Sequence, residues 1–276
     1  MQHLYCLVLV LISLFVTAAT GHAGDGAKNQ DDGVVHLFNG KDLTNFYTWL
    51  AVPQGKKGQP LGKNNDPLKV VTVVDGAIRV SGEVFGAFIT EREYGDYRLI
   101  VEYRWGEKTY PPREKAARDS GILIHCQGAD GSMSAWMPSI ECQMIEGGTG
   151  DLLILGTKDH PFRLTAEVED RGGQPYYKPG APAREFKGGR INWYARDPKW
   201  KDVKGFRGKE DIEKPVGEWN TYEIIADADT ITAILNGKTT AMGTKCSPTK
   251  GKMLFQSEAA EVFFRRIDLR PLTRRK

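Results

Sequence analysis

Beyond its first two dozen positions the chain has no sustained helical apolar period, no internal repeat and no linker-like stretch. That leaves no basis for a helical bundle, a solenoid or a string of separate modules. Charge of one sign is also missing. The 38 basic and 35 acidic residues leave a net charge of +3, too even for a dedicated nucleic-acid or polyanion binder. Cysteine is scarce, and the spacing of Cys6, Cys126, Cys142 and Cys246 matches no zinc motif. There is no G-x-S-x-G and no Ser-His-Asp order, so serine hydrolase chemistry has no support. The glycine-rich turn Glu146-Gly-Gly-Thr-Gly-Asp151 lacks the Lys and Ser/Thr of a phosphate loop and reads as a chain reversal.

Residues 4–19 form the one long apolar run, followed by small residues through Ala23. This is the pattern of a secretory signal over 1–23, with 24–33 as a flexible leader, and it points to an exported, periplasmic or extracellular protein. The run is short for a membrane span of about 20 residues. Met1-Gln2-His3 lacks the usual Lys or Arg, so an uncleaved anchor is the alternative. No membrane span is expected after cleavage. Cys6 lies too early to accept a lipid, and the basic tail Arg274-Arg275-Lys276 reads as a solvated end.

What the chain does have is β pattern. Val70 to Val74, the turn Asp75-Gly76 and Ala77 to Val80 make a hairpin signal, and Asn236-Gly237 is a second one. Residues 96–105 alternate cleanly, and further strands are expected at 34–38, 87–90, 151–155, 163–168, 190–195, 219–226, 230–235, 252–257 and 261–269. Stretches 51–67, 106–118, 170–189 and 196–215 read as long loops, which are often functional. About a dozen short strands predict one all-β domain over 34–272, a two-sheet antiparallel β-sandwich with long loops.

Two strand segments carry the chemistry. In 119–127, Ile122, Ile124 and Cys126 share one face and Leu123, His125 and Gln127 the other; in 138–146, Ile140, Cys142 and Met144 oppose Glu141, Gln143 and Ile145. Pairing with apolar faces aligned gathers His125, Gln127, Glu141 and Gln143 on one polar face. The plain alternative is a solvated or structurally hydrogen-bonded strand face. Cys126 and Cys142 are expected core-facing, as two buried thiols or else an inter-strand disulfide.

Across the mature chain the sequence resembles the 3-keto-disaccharide hydrolase domain family, a group of the concanavalin A-like lectin/glucanase jelly-roll type. The matching pieces include Leu37-Phe-Asn-Gly-Lys-Asp-Leu43, Val74-Asp-Gly-Ala-Ile78, Ser120-Gly-Ile122, Ile140-Glu-Cys-Gln-Met-Ile145, Gly217-Glu-Trp-Asn-Thr-Tyr-Glu223, Phe255-Gln-Ser-Glu258 and Val262-Phe-Phe-Arg-Arg-Ile267. Where the family usually has Asn-Ser-Gly this chain has Asp119-Ser-Gly121, a change expected to touch the site. The family's common Phe-Arg-Asn-Ile is replaced by Phe264-Arg-Arg-Ile267.

The resemblance implies cleavage of glycosides already oxidised at C3, by hydrolysis or by elimination and hydration. Such a reaction needs a base at C2, a stabiliser at O3 and an acid for the leaving oxygen. His125 and Glu141 are the candidate catalytic groups and also the candidate ligands of a possible divalent metal. Gln127, Gln143, Arg104, Lys158, Trp193 and Tyr194 are the candidate substrate contacts, Gln143 as a donor and the aromatic residues as stacking surfaces. Trp219 is expected in the core. Glucanases of this fold class carry Glu-x-Asp-x-Glu on one strand; Glu141-x-Gln143-x-x-Glu146 departs from it, which disfavours double displacement by two carboxylates about 5 Å apart. A non-catalytic carbohydrate-binding module is the alternative reading, and an envelope adhesion domain a third; the expected partner is a carbohydrate, with no nucleic acid.

Overall fold

A computed structural model describes residues 33–272. The expected signal, all but the last residue of the leader, and the basic tail lie outside the described residues. The described chain is strand and turn with no helix, so no described helix is long and apolar enough to cross a membrane.

The strands in chain order are β1 (Val35–His36), β2 (Phe46–Leu50), β3 (Gly62–Lys63), β4 (Val71–Val74), β5 (Ala77–Val80), β6 (Gly86–Thr90), β7 (Tyr97–Thr109), β8 (Asp119–Cys126), β9 (Ser139–Ile145) and β10 (Leu152–Leu155). There follow β11 (Arg163–Arg171), β12 (Gln174–Tyr177), β13 (Ala183–Phe186), β14 (Gly189–Ile191), β15 (Asn220–Asp227), β16 (Thr230–Leu235), β17 (Lys238–Ser247), β18 (Lys252–Ser257) and β19 (Ala260–Pro271). They form two antiparallel sheets. One runs β12-β11-β17-β16-β15-β7-β19-β5-β4, with β1 added on β19 and β13 on β11. The other runs β14-β10-β9-β8-β18-β6-β2-β3.

Alternation builds the core between them. In β7 the side chains of Tyr97, Leu99, Val101, Tyr103 and Trp105 are buried while Arg98, Ile100, Glu102 and Arg104 point away. Phe88 and Phe255 of the second sheet stack at 4.6 Å, and Phe264 of the first meets Phe88 edge-on at 5.5 Å. Each such ring removes roughly 150–250 Å² from water, which clamps the sheets face to face. The two hairpin turns adopt the backbone their sequences ask for: Asp75 and Gly76 have φ of 50° and 74°, Asn236 and Gly237 48° and 81°.

Several expectations need correcting. The stretch 170–189 is not a plain loop but carries β12 and β13. The stretch 51–67 holds the short β3, and β7 runs on to Thr109. The ten-residue β17 was not expected at all. Trp219 is not core: it is half-buried on the outer side of the first sheet, with the Arg104 and Arg265 guanidiniums over its ring.

The largest departure is at His125. Its φ is 56°, and the β8–β18 register shifts between Lys252 and Leu254. This bulge reverses the alternation at the end of β8. The His125 ring therefore packs edge-on against Tyr97 of the opposite sheet, 5.9 Å between centroids. Cys126 in turn joins a small apolar cluster with Tyr47, Ile89, Leu123 and Leu254, while Cys142 stays in the main core. The two thiols lie on opposite faces; both are free, as is Cys246, so the disulfide alternative does not form.

Candidate active site

The outer face of the second sheet carries the site. In β9, Ile140, Cys142 and Met144 enter the core, so Glu141 and Gln143 project the other way. In β8 the same face holds Asp119, Gly121 and Leu123. Gly121 sits opposite Gln143, and Leu123 opposite Glu141. On the far side of β8, Leu254 pairs with Leu123 and Phe255 with Ile122, which brings Gln256 beside Gly121. Ser120 Oγ donates to the Gln256 carbonyl at 3.0 Å, and Glu258, just past β18, bridges back to Asp119. Leu153 of β10 stands opposite Glu141, and Arg190 of β14 opposite Leu153.

Met133, Trp136 and Met137, from the β8–β9 connection, complete the wall of a cavity of about 310 Å³ over these residues. Gly121 is small for a reason that can be measured. A Cβ there would lie 2.3 Å from Glu141 Oε1 and 2.6 Å from Gln256 Oε1. The glycine leaves the space those two oxygens occupy.

The floor is dry and acidic. Asp119, Glu141, Gln143 and Gln256 are all buried, and Glu258 is half-buried. Burial pushes the Glu141 carboxyl up to about 8; Asp119 adds to the rise and Arg190 opposes it. Asp119 is raised by burial against the pull of Arg113 and Arg190. Glu258 is raised by burial and then by its two acidic neighbours. Three carboxyl groups this close, in so little water, cannot all be ionised at neutral pH. Gln143 Nε2 donates to Asp119 Oδ1 at 3.1 Å, and Arg113 lies 3.2 Å from Asp119 Oδ2. Gln143 Oε1 and Gln256 Oε1 have no protein partner.

Of the residues singled out in the sequence, Glu141 and Gln143 come together here. Gln143 gives one N–H to Asp119, and its Oε1 is an acceptor without a protein partner. His125 is absent from the site: its Nδ1 donates to the Pro248 carbonyl at 3.1 Å, and burial drops its pKa to about 4. Because His125 and Glu141 face opposite sides of the sheet, they do not form the expected metal pair. No group of three or more His, Cys, Asp or Glu among the described residues is arranged to hold a metal. Gln127 donates to the carbonyls of Lys250 and His125 at the strand end.

The remaining four candidates lie elsewhere. Arg104 is on the outer side of the first sheet, between Trp219 and Phe263; its neighbour Glu102 pairs with Arg265 and Arg266 instead. Lys158 lines a separate surface hollow of about 500 Å³ with Thr157 and Phe162. Trp193 is buried, its backbone N–H on Asp151. Tyr194 is exposed and stacks on Arg171. None of the four lines the cavity. Glu146 is consumed by a buried ion pair with Arg118 at 2.9 Å.

Gln256, Glu258 and Arg190 carry no site expectation from the sequence, and Asp119 only the expectation that its departure from the family touches the site. Two signals were present: the Asp-for-Asn departure at Asp119, and the Phe255-Gln-Ser-Glu258 piece, whose Gln256 and Glu258 share strand parity. Arg190 gave none, because its strand is three residues long.

Residues 33–270 match the family model described as the 3-keto-alpha-glucoside-1,2-lyase-like domain. Among solved structures, a Parabacteroides distasonis protein described as a candidate glycosyl hydrolase is 19% identical, with 88% of this chain and 95% of that chain covered and a TM-score of 0.49. The Bacillus licheniformis β-glucanase is 11% identical over 89% and 100% of the two chains, TM-score 0.45. The carbohydrate-binding module CBM66 from Bacillus subtilis is 8% identical over 82% and 95%, TM-score 0.41. These likenesses are too distant to bear on chemistry. No curated protein matches the chain in sequence. The family model spans nearly all the described residues, and the chain belongs to the 3-keto-alpha-glucoside-1,2-lyase-like domain family.

Proposed function

We propose that this chain is an exported carbohydrate-active enzyme that cleaves glycosides bearing a ketone at C3 of the sugar. The observation that carries the reading is the trio of carboxyls, buried Asp119 and Glu141 with half-buried Glu258, around two amides whose carbonyl oxygens lack partners. A carboxylate whose pKa is raised to about 8 is a stronger base than an ordinary one. The 3-keto group acidifies the C2 proton.

In this reading Glu141 removes that proton, and the C–H electrons form an enolate across C2 and C3. The enolate then expels the C1 oxygen, giving a C1–C2 double bond and restoring the ketone. Glu258, whose carboxyl is raised by burial and then by its acidic neighbours, gives its proton to the departing oxygen. Water adding at C1, with a proton returned to C2, would complete a net hydrolysis. Arg190 supplies positive charge beside the forming enolate, and Gln143 and Gln256 offer acceptors to sugar hydroxyls. Two-carboxylate double displacement has less behind it, since Gln143 holds the middle position and Glu146 is tied to Arg118.

The test is release of the leaving group from a chromogenic 3-keto-glucoside beside the unoxidised glucoside, with and without chelator, on the wild type and on Glu141→Gln. Release from the keto substrate alone, reduced at least about 10³-fold in the variant while binding persists, is the expected result. Binding without release from either substrate would instead favour a carbohydrate-binding module. Loss on chelation would add a metal to the reaction.

A further inference from the structure

Arg190 stands in the wall between two hollows. On one side is the carboxyl cavity. On the other is a second hollow of about 340 Å³, lined by Gln174, Tyr176, Asn192, Arg196, Asp197 and Trp200. It shares Arg196, Asp197 and Pro198 with a third, of about 530 Å³, whose lining adds Arg171, Lys209 and Lys238. The three hollows share lining residues in sequence, Arg190 between the first two and Arg196, Asp197 and Pro198 between the last two, and are together called the trough.

The charges along this trough are lopsided. Arg190 Nη1 lies 2.7 Å from Asp151 Oδ2, and Arg196 donates to the same oxygen. The other Asp151 oxygen accepts the Trp193 backbone N–H at 2.8 Å. One fully buried carboxylate therefore answers two guanidiniums, of which Arg196 is itself buried. Arg190 also faces the acids of the carboxyl cavity, so the positive charge on this side of it rests on buried Arg196 and the two lysines farther out. A buried guanidinium with half a carboxylate favours an anion. Farther out, Lys209 and Lys238 have no ion-pair or hydrogen-bond partner among the described residues. The only acids in the lining of the second and third hollows are Asp197 and Glu210, and Asp197 Oδ1 already accepts the Lys199 backbone N–H at 2.8 Å.

We propose that the trough receives the leaving half of the substrate and that this half carries a carboxylate, as an acidic sugar residue does. The anion neutralises the charge left over at Arg196, and Lys209 and Lys238 draw it in. The term "leaving half" rests on the 3-keto-glycoside reading above; the preference for an anion does not.

The test uses the full chain and two probes of nearly equal size, β-D-glucopyranosyl-(1→4)-D-glucuronic acid, whose carboxylate is on the leaving residue, and cellobiose, titrated calorimetrically. Wild type should bind the acid at least roughly tenfold tighter, with the ratio shrinking in about 0.5 M NaCl. The double variant Lys209→Ala/Lys238→Ala, which touches no residue of the carboxyl cavity and should melt like wild type, should lose most of the preference while binding cellobiose as before. Equal affinities, binding of neither probe, or a preference untouched in the variant would each overturn the proposal. Turnover of the two 3-keto derivatives then separates the two ideas. Cleavage of both at equal kcat/KM keeps the 3-keto reading and sinks the anionic trough. Cleavage of neither, with the acid still preferred in titration, sinks the 3-keto reading and keeps the trough.

Discussion

Gly121 has no side chain because Glu141 and Gln256 need the room above it. Adding a methyl group there meets only the ends of two side chains, which swing away at small cost to the fold. Gly121→Ala should therefore lower kcat by about 10²-fold through a misplaced carboxylate, while moving Tm by no more than a few degrees. A large loss of Tm with kcat retained would show that the glycine serves the backbone instead. Asp119 makes a second case. It raises Glu141, so Asp119→Asn should lower the Glu141 pKa and shift the acid limb of kcat/KM from near pH 8 towards neutrality; an unmoved limb would sever the two groups. The face bearing Glu141 and Gln143 was legible from alternation alone, because β9 is regular. The placement of His125 was not: a non-glycine residue at positive φ in a bulge leaves no mark in the sequence, and one bulge moves every side chain beyond it to the other face.

The long connection 196–217 is tied to both sheets by a single carboxyl. Glu213 Oε1 accepts Tyr103 Oη at 2.6 Å and Trp105 Nε1 at 2.8 Å, both from β7, and Thr149 Oγ1 at 2.9 Å from the β9–β10 turn. Glu213→Ala would leave two buried donors, Tyr103 Oη and Trp105 Nε1, without a partner, since Thr149 Oγ1 also reaches the Ile145 carbonyl at 3.1 Å, a cost on the order of 3 kcal/mol. It should also free the segment, and limited trypsin digestion should cut at Lys199, Lys201 or Lys204 on the order of tenfold faster. Unchanged digestion would mean that the other ties suffice: Trp200 Nε1 on the Glu146 carbonyl at 3.1 Å, the Gly205 N–H on Glu146 Oε2 at 3.0 Å and Asp202 on Arg113 at 2.7 Å. Hairpins with Asp-Gly and Asn-Gly turns were legible because the turn dictates the backbone. The strand β17 was not. Its Lys238-Thr-Thr-Ala-Met-Gly-Thr-Lys-Cys-Ser247 mixes polar and small residues, and its pairing with β16 shifts register between Ala233 and Ile234. Tertiary pairing, not local preference, makes it a strand.

For the molecule as a whole, buried ionisable groups set opposing limits with pH. Glu141 and Glu213 are raised to about 8 and about 7, chiefly by burial. Groups raised in the folded state contribute stability that is full below their unfolded value of about 4.5 and is lost as pH climbs through 7 to 8. His125, lowered to about 4 by burial, does the reverse: its contribution is full above about 6.5 and is lost as pH falls through 4. Stability should therefore peak at mildly acidic pH and decline towards pH 9, in the range where Glu141 ionises and the proposed base would act. Thermal melts from pH 4 to 9 test this, with Glu141→Gln gaining on the order of 5 °C over wild type at the alkaline end; a wild-type Tm that rises from pH 6 to 9 would contradict it. The sheet that carries the site ends on one side in β3, two residues long, and on the other in β14, three residues long. Stubs of that length give an incoming strand almost nothing to zip onto, so a protein whose working parts are nearly all ribbon can be crowded without seeding fibrils from that sheet.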